Sequence, residues 1–192
     1  MTIILLSGGM DSAALLVGAN RPISEGLFID YGQPARIQEA YAAERLCSRF
    51  KVPFKHMEVL WTRLGEMGDE PGVPGPRVVA GRNAVLLSLA ANRCPQADAY
   101  EIWYGATRDD AREYPDCRPS FWRGLSKVFE EAYGVSIDAP LWDAGKSDVV
   151  AILRDHKVEP RETWSCYAPM FFGGVPCNTC DACRRRVAVG WV

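Results

Sequence analysis

Thr2-Ile3-Ile4-Leu5-Leu6-Ser7-Gly8-Gly9-Met10-Asp11-Ser12 is the stretch from which the rest of the chain can be read. Thr2 to Leu6 is an apolar run that reads as a strand, and Asp11 to Val17 reads as the helix that follows it. The turn between them lies where a parallel sheet binds phosphate. At a helix N-terminus the first backbone N–H groups lack internal partners and the dipole end is positive, so an anion is held at little cost. Paired glycines let the backbone approach the phosphates, and Ser7 and Ser12 can add hydroxyl donors. Asp11 would repel bare phosphate, so its expected role is to cap the helix or to orient Mg²⁺ on the phosphates. The bland alternative, a plain strand-to-helix turn, explains Ser-Gly-Gly but not its place after the first strand with Asp-Ser following. The chain lacks the Gly-Lys-Ser/Thr of a Walker A loop and lacks Gly-x-Gly-x-x-Gly, so neither γ-phosphoryl transfer nor dinucleotide binding is indicated.

Outward from this loop, strand and helix patterns alternate. Gly26 to Ile29, Phe54 to Leu60 and Glu101 to Tyr104 read as strands; Ile37 to Phe50, Asn83 to Asn92 and Pro119 to Tyr133 read as helices. This order predicts an α/β fold, a parallel sheet with helices on both faces, over residues 1–160. Glu66 to Pro76, rich in Gly and Pro, reads as a loop, and Asp143 as the N-cap of a helix carrying Val149, Val150, Ile152 and Leu153. Beyond Val158 the regular pattern stops, and residues 161–192 read as a small Cys-, Gly- and Pro-rich knob folded around metal.

The chain has 192 residues, 48% of them hydrophobic, enough for one sizeable core. Lys plus Arg number 22 against 24 Asp plus Glu, which gives no global footprint for nucleic acid and favours a small-molecule substrate. No apolar run has the length of a membrane span or a signal-peptide core, so a cytoplasmic location is expected and no membrane partner. His56 and His156 are the histidines, and neither neighbours a plausible Ser or Cys nucleophile, which argues against a His-activated nucleophile.

The Ser7–Ser12 segment resembles the pyrophosphate loop of ATP pyrophosphatases. In that superfamily the loop grips the β- and γ-phosphates while a nucleophile attacks the α-phosphorus. Three further segments narrow the resemblance: Asp30-Tyr31-Gly32-Gln33, Gly81-Arg82-Asn83, and Tyr114-Pro115-Asp116-Cys117-Arg118 preceded by Asp110. With Pro140-Leu141, Lys146 and a C-terminal cysteine cluster they resemble the 7-cyano-7-deazaguanine synthases of the queuosine and archaeosine pathways, over Leu6 to Arg186. The resemblance implies an adenine-nucleotide α-hydrolase-like, Rossmann-like domain that uses ATP and Mg²⁺. It also implies a deazaguanine carboxylic acid as substrate, ammonia as nucleophile and the family's usual homodimer.

Each segment has chemistry that suits this. Leu6, Ser7, Gly8, Gly9, Met10, Asp11 and Ser12, with Tyr31, Gly81 and Asn83, are the expected nucleotide-binding positions. A deazaguanine presents guanine-like donors, which Asp110 or Asp116 can accept. Arg118 can meet the substrate carboxylate, Tyr31 can stack on a flat ring, and Arg82 or Lys146 can neutralise phosphate charge. The alternatives are a surface pair between Arg118 and Asp116, and a solvated first-turn Lys146. Cys117, flanked by Asp116, should be a poor thiolate and reads as pocket wall; Cys47 and Cys94 read as small hydrophobes.

Cys166, Cys177, Cys180 and Cys183 form C-x10-C-x2-C-x2-C, which suits a closed, structural tetrahedral Zn²⁺ site. An iron–sulfur cluster accepts the same spacing, and the resemblance favours zinc. Arg184, Arg185 and Arg186 read as solvated groups or as neutralising the thiolate charge.

The chain also departs from the family pattern. Pro34-Ala35 stands where the family usually has Arg-His, Ala80 where Pro is usual, Ala13 and Ala14 where Thr is frequent, and Asn178 where Gly is usual. Loss of the Arg-His pair bears on the second half of a reaction thought to run from acid through amide to nitrile. The competing readings are an enzyme that stops at the amide or passes the acyl group to another amine, including a protein amine; a tRNA-modifying ATP pyrophosphatase; and a non-catalytic nucleotide sensor.

Overall fold

Apolar residues alternate along the strands in the way that a sheet covered on both faces requires. The computed structural model describes residues 1–59, 79–168 and 174–192. Its five strands are β1 (Thr2–Leu5), β2 (Ile23–Asp30), β3 (Phe54–Glu58), β4 (Glu101–Trp103) and β5 (Ser136–Asp138). They form one sheet in the order β3-β2-β1-β4-β5, with every neighbouring pair parallel. Ile3, Leu27, Ile29 and Ile102 pack on one face; Ile4, Phe28 and Trp103 pack on the other.

Helices α1 (Met10–Val17), α2 (Arg36–Phe50) and α6 (Lys146–Asp155) cover the Ile4 face. The other face is covered by α3 (Arg82–Arg93) and α5 (Pro119–Tyr133). Between them in sequence lies the short α4 (Arg108–Glu113), and α7 (Asp181–Ala188) lies near the C-terminus. Ile3, Ile4, Leu27, Leu87 and Ile102 are completely buried, and each such side chain contributes about 1.5–3 kcal/mol by leaving water. The predicted parallel sheet with helices on both faces is therefore the observed architecture, and α5 has the bounds read from its Pro119 start. Glu25 and Glu101 are buried at the sheet but paired, Glu25 with Arg93 and Glu101 with Thr2 and Arg21.

Several local expectations are corrected. Asp143 is not the N-cap of α6: Gly145 is, and its N–H donates to Asp148 Oδ2 at 2.7 Å, so the cap is built from inside the first turn. β5, three residues long, carries too short an alternation to be read. α4 was missed although Thr107 caps it, accepting from the Asp110 N–H at 3.3 Å and donating to Asp110 Oδ2 at 2.6 Å. Regular structure also resumes after Val158, in α7. The segment beyond residue 160 shares the main core through Trp191, which is 1% exposed and donates its indole N–H to Thr163 Oγ1 at 2.9 Å. The Glu66 to Pro76 loop and Leu60, the expected end of the third strand, lie outside the described residues. Among the described residues no helix is long and apolar enough to cross a membrane.

Candidate active site and cysteine cluster

The strand order reverses at β1, with β2 on one side and β4 on the other, and the connecting helices leave on opposite faces. Such a switch point opens a crevice beyond the carboxyl ends of the strands. A cavity of about 340 Å³ occupies it here. Leu6, Ser7, Asp11 and Ser12 line it from the end of β1 and the start of α1, Tyr31 from the loop after β2, and Arg82 and Asn83 from the start of α3. Asp110, Asp116 and Cys117 also line it. A second hollow of about 180 Å³ shares Ser7, Asp11 and Asp110 and adds Gly9, Met10 and Lys146.

The loop geometry follows from its glycines. Gly8 has φ +74°, and a Cβ there would lie 2.4 Å from the Glu39 carbonyl oxygen, so both conformation and the closeness of α2 require glycine. Gly9 is the N-cap of α1 in extended conformation, and a Cβ there would make only ordinary contacts. Its bareness leaves the helix N-terminus open rather than serving packing. Ser12 Oγ donates to the Gly9 carbonyl at 3.1 Å and lies 3.2 Å from Ser7 Oγ, which fixes both hydroxyls beside the α1 N–H groups.

Lys146 joins three separate elements. Its Nζ donates to Asp11 Oδ1 at 2.9 Å and to Asp110 Oδ2 at 2.8 Å, while its backbone N–H donates to Asp109 Oδ2 at 2.8 Å. Burial pulls the ammonium down, but Asp11 and Asp110 outweigh it and hold the pKa above the usual lysine range. Burial raises the Asp11 carboxyl; Lys146 opposes this and the Asp110 charge adds to it. Lys146 is therefore not the solvated first-turn residue of the bland reading.

Arg82 is held charged: burial disfavours its cation, and Tyr31, Asp116 and Tyr167 overcome that, with a hydrogen bond that Arg82 donates to Tyr31 included. Cys117 is pushed up to about 12, first by burial and then by Asp110 and Asp116, so it remains a thiol at neutral pH. Cys47 and Cys94 are fully buried and pushed up by burial to about 12 and about 11.

Not every expected position faces the cavity. Gly81, at φ +77°, is the exposed N-cap of α3 and sets the entry to Arg82 from outside the cavity wall. Arg118 is exposed, precedes α5 as its N-cap, and donates Nε–H to the Ala111 carbonyl at 3.1 Å; it is neither on the cavity wall nor paired with Asp116. Conversely, Tyr167 and Trp164 from the C-terminal segment line the site and were not singled out. Gln33 was also missed as a hub: its Oε1 accepts from the Tyr31 N–H at 3.0 Å and its Nε2 donates to Glu39 Oε2 at 3.0 Å. The Thr107-x-x-Asp110 spacing was the available sequence signal for α4; for Tyr167 there is none, because its place depends on a distant segment, whereas Gln33 pairs within six positions, between the end of β2 and the first turn of α2. Ala35, where the family usually has His, is buried and lines the cavity.

The cysteine expectation converges in space. The Sγ atoms of Cys166, Cys177, Cys180 and Cys183 all lie within 4.8 Å of one another. Tetrahedral bonds of about 2.3 Å from four thiolates to one ion separate the sulfurs by about 3.8 Å. Cys177 and Cys183 are 4.0 Å apart, close to that. Each thiolate of a four-iron cluster sits on its own iron, which spreads the sulfurs over a wider cage. Backbone N–H groups of Cys177 and Cys180 donate to Cys166 Sγ at 3.2 Å and Cys177 Sγ at 3.3 Å, contacts that favour thiolate charge. Asn178 turns the chain at φ +57°, the left-handed conformation that asparagine tolerates where the family usually has Gly. The donor set fits one closed, tetrahedral metal ion.

The comparisons with known proteins agree with this geometry. Residues 1–190 match the family described as "Queuosine biosynthesis protein QueC". The chain is 32% identical to the 7-cyano-7-deazaguanine synthase of Methanothrix thermoacetophila, across 96% of this chain and 91% of that protein. It is 31% identical to 7-cyano-7-deazaguanine synthase 2 of Colwellia psychrerythraea, with the same coverage. In fold it is similar to the U34-tRNA thiolase NcsA from Methanococcus maripaludis, solved with its [4Fe-4S] cluster. That likeness has a TM-score of 0.57 and 18% identity, and covers 82% of this chain and 56% of the thiolase chain. With the switch-point cavity and the cysteine tetrad in place, the match over nearly its whole length means that this chain belongs to the QueC family.

Proposed function

We propose that the protein is a cytoplasmic, homodimeric ATP-dependent ligase that converts 7-carboxy-7-deazaguanine and ammonia to 7-cyano-7-deazaguanine through the amide. The observation that carries this reading is one cavity lined by two chemically distinct sets of residues. Asp116 and Tyr31 suit a flat ring with guanine-like donors, and Ser7, Asp11 and Ser12 belong to the Ser7–Ser12 loop. The names of the relatives support the same substrate class.

In the first stage a substrate carboxylate oxygen attacks the α-phosphorus of ATP and pyrophosphate leaves. Arg82, kept charged on the same cavity wall, would neutralise the charge that develops on the phosphorus. Asp11 would orient Mg²⁺ on the departing phosphates. Ammonia then attacks the acyl carbon, AMP leaves, and the amide remains after loss of a proton. In the second stage the amide oxygen is adenylated; departure of AMP with loss of both N–H protons leaves the nitrile. Zn²⁺ at Cys166, Cys177, Cys180 and Cys183 would hold the C-terminal segment and take no part in the chemistry, since four thiolates leave no open position.

Ala35 favours a second outcome at the same site. A nearby base helps remove the amide protons, and where the family usually has His this cavity has a methyl group. The amide is therefore expected to form faster than it is dehydrated, and the acyl group can pass to another amine, including one on a protein. The test is mass spectrometry of products over time, with ATP, Mg²⁺, ammonia and the acid. AMP and pyrophosphate are expected, with amide preceding nitrile. ADP as the main nucleotide product would refute the adenylation; full nitrile with no amide at early times would refute the slow second stage.

A further inference from the structure

We infer that Arg185 of α7 contacts the leaving pyrophosphate, so that the cysteine-bearing segment supplies a side chain to the ATP site. The inference rests on reading the Ser7–Ser12 loop as that site. It starts from three consecutive arginines whose environments differ. Arg184 pairs with Asp181 at 2.5 Å on the surface of its own helix. Arg186 is a strut, donating to the Thr163 carbonyl at 3.1 Å, to Thr163 Oγ1 at 2.9 Å and to the Pro160 carbonyl. Arg185 turns to the second hollow, where it lines the wall with Ser7, Gly9, Asp11, Lys146 and Ser165.

Charge decides what the hollow can hold. Lys146 is engaged by both Asp11 and Asp110, so one ammonium is set against two carboxylates, and Glu39 also lines the wall. A pyrophosphate released onto this floor needs positive charge beyond Lys146. Among the described residues lining the hollow, Arg185 is the other cation. Its planar guanidinium offers paired N–H donors that match phosphate oxygens. Arg185 is paired with Glu113, but the two side chains are 36% and 39% exposed, and a solvated pair of this kind is weak. The guanidinium can therefore exchange Glu113 for a phosphate. Arg82, on the wall of the first cavity, remains at the α-phosphorus, and the two arginines divide the polyphosphate between them.

The test measures binding of inorganic pyrophosphate with Mg²⁺ to the metal-replete full chain by calorimetry. Arg185→Ala should weaken pyrophosphate binding at least tenfold, and Arg185→Lys should recover part of it. Arg184→Ala should stay within twofold of wild type. Binding of the deazaguanine acid and the metal content should not change in any of the three. Glu113→Gln, which releases the guanidinium, should tighten pyrophosphate binding two- to threefold. Wild-type affinity in Arg185→Ala, or no tightening in Glu113→Gln, overturns the inference and leaves the ATP site standing. No pyrophosphate binding by the wild type overturns the reading of the loop, and the inference with it.

Discussion

The backbone N–H of Trp164 donates to the Gly8 carbonyl at 2.8 Å, joining the C-terminal segment to the glycine that shapes the Ser7–Ser12 loop. Two residues later comes Cys166, and the Trp164 indole N–H donates to the Cys166 carbonyl at 2.9 Å. Whatever orders the cysteine cluster therefore also holds the Ser7–Ser12 loop, the proposed nucleotide site.

Metal removal should consequently reach the ATP site. With Cys180→Ser, elemental analysis should show zinc lost from about one per chain, and trypsin should cut readily at Arg184, Arg185 or Arg186. Loss of one backbone hydrogen bond of about 1 kcal/mol predicts roughly five- to tenfold weaker binding of a non-hydrolysable ATP analogue. Unchanged metal content would reject the ligand assignment, and unchanged ATP binding would reject the coupling.

Lys146→Ala should remove turnover and also cost stability, because Asp11 and Asp110 then face each other without a cation. A fully buried broken pair costs roughly 3–5 kcal/mol. Asp11 retains 25% side-chain exposure, so a loss of about 2 kcal/mol is expected in urea unfolding. A carboxyl whose pKa is raised in the folded state binds protons more readily folded than unfolded, so its penalty is full above that raised pKa and disappears below the ordinary carboxylate range. The deficit of the variant should thus shrink as pH falls through the acid range. Lys146→Ala combined with Asp110→Asn should recover part of the loss at neutral pH.

Asp116→Asn and Asp11→Ala should separate the proposed ring-binding and ATP-binding roles of the cavity wall. The first should weaken binding of the deazaguanine acid at least a hundredfold and leave ATP binding within a few-fold, since it exchanges an acceptor for a group that also presents donors. The second should show the reverse pattern. Calorimetry with each ligand alone decides, and loss of ATP affinity in Asp116→Asn with the acid still bound would contradict the division.

Cys117 should resist alkylation although it lines the cavity. Its thiol is pushed up to about 12, first by burial and then by Asp110 and Asp116, so the thiolate fraction at pH 8 is negligible. Iodoacetamide labelling followed by peptide mass analysis should find Cys117 unmodified at pH 8. Rapid labelling at that pH would show a reactive thiol and reopen a thioester route.

The amino-acid sequence by itself determined the layered architecture, because alternation at Ile3-Ile4 and Leu27-Phe28-Ile29 directs side chains to opposite faces wherever these strands sit in the sheet. It likewise determined the loop, whose chemistry is confined to six consecutive residues, and the cysteine set, whose spacing announces a common ligand. Tertiary structure decided what depends on segments far apart in the chain. Lys146 meets Asp11 across 135 positions and Asp110 across 36, and no local pattern encodes that meeting. The same holds for Tyr167 and Arg185, brought to the two hollows by the fold of the cysteine segment, and for Arg118, which belongs to a telling motif yet is exposed and donates to the Ala111 carbonyl. Local periodicity fixes which way a side chain points from its own element; only the packing of elements against one another fixes what it points at.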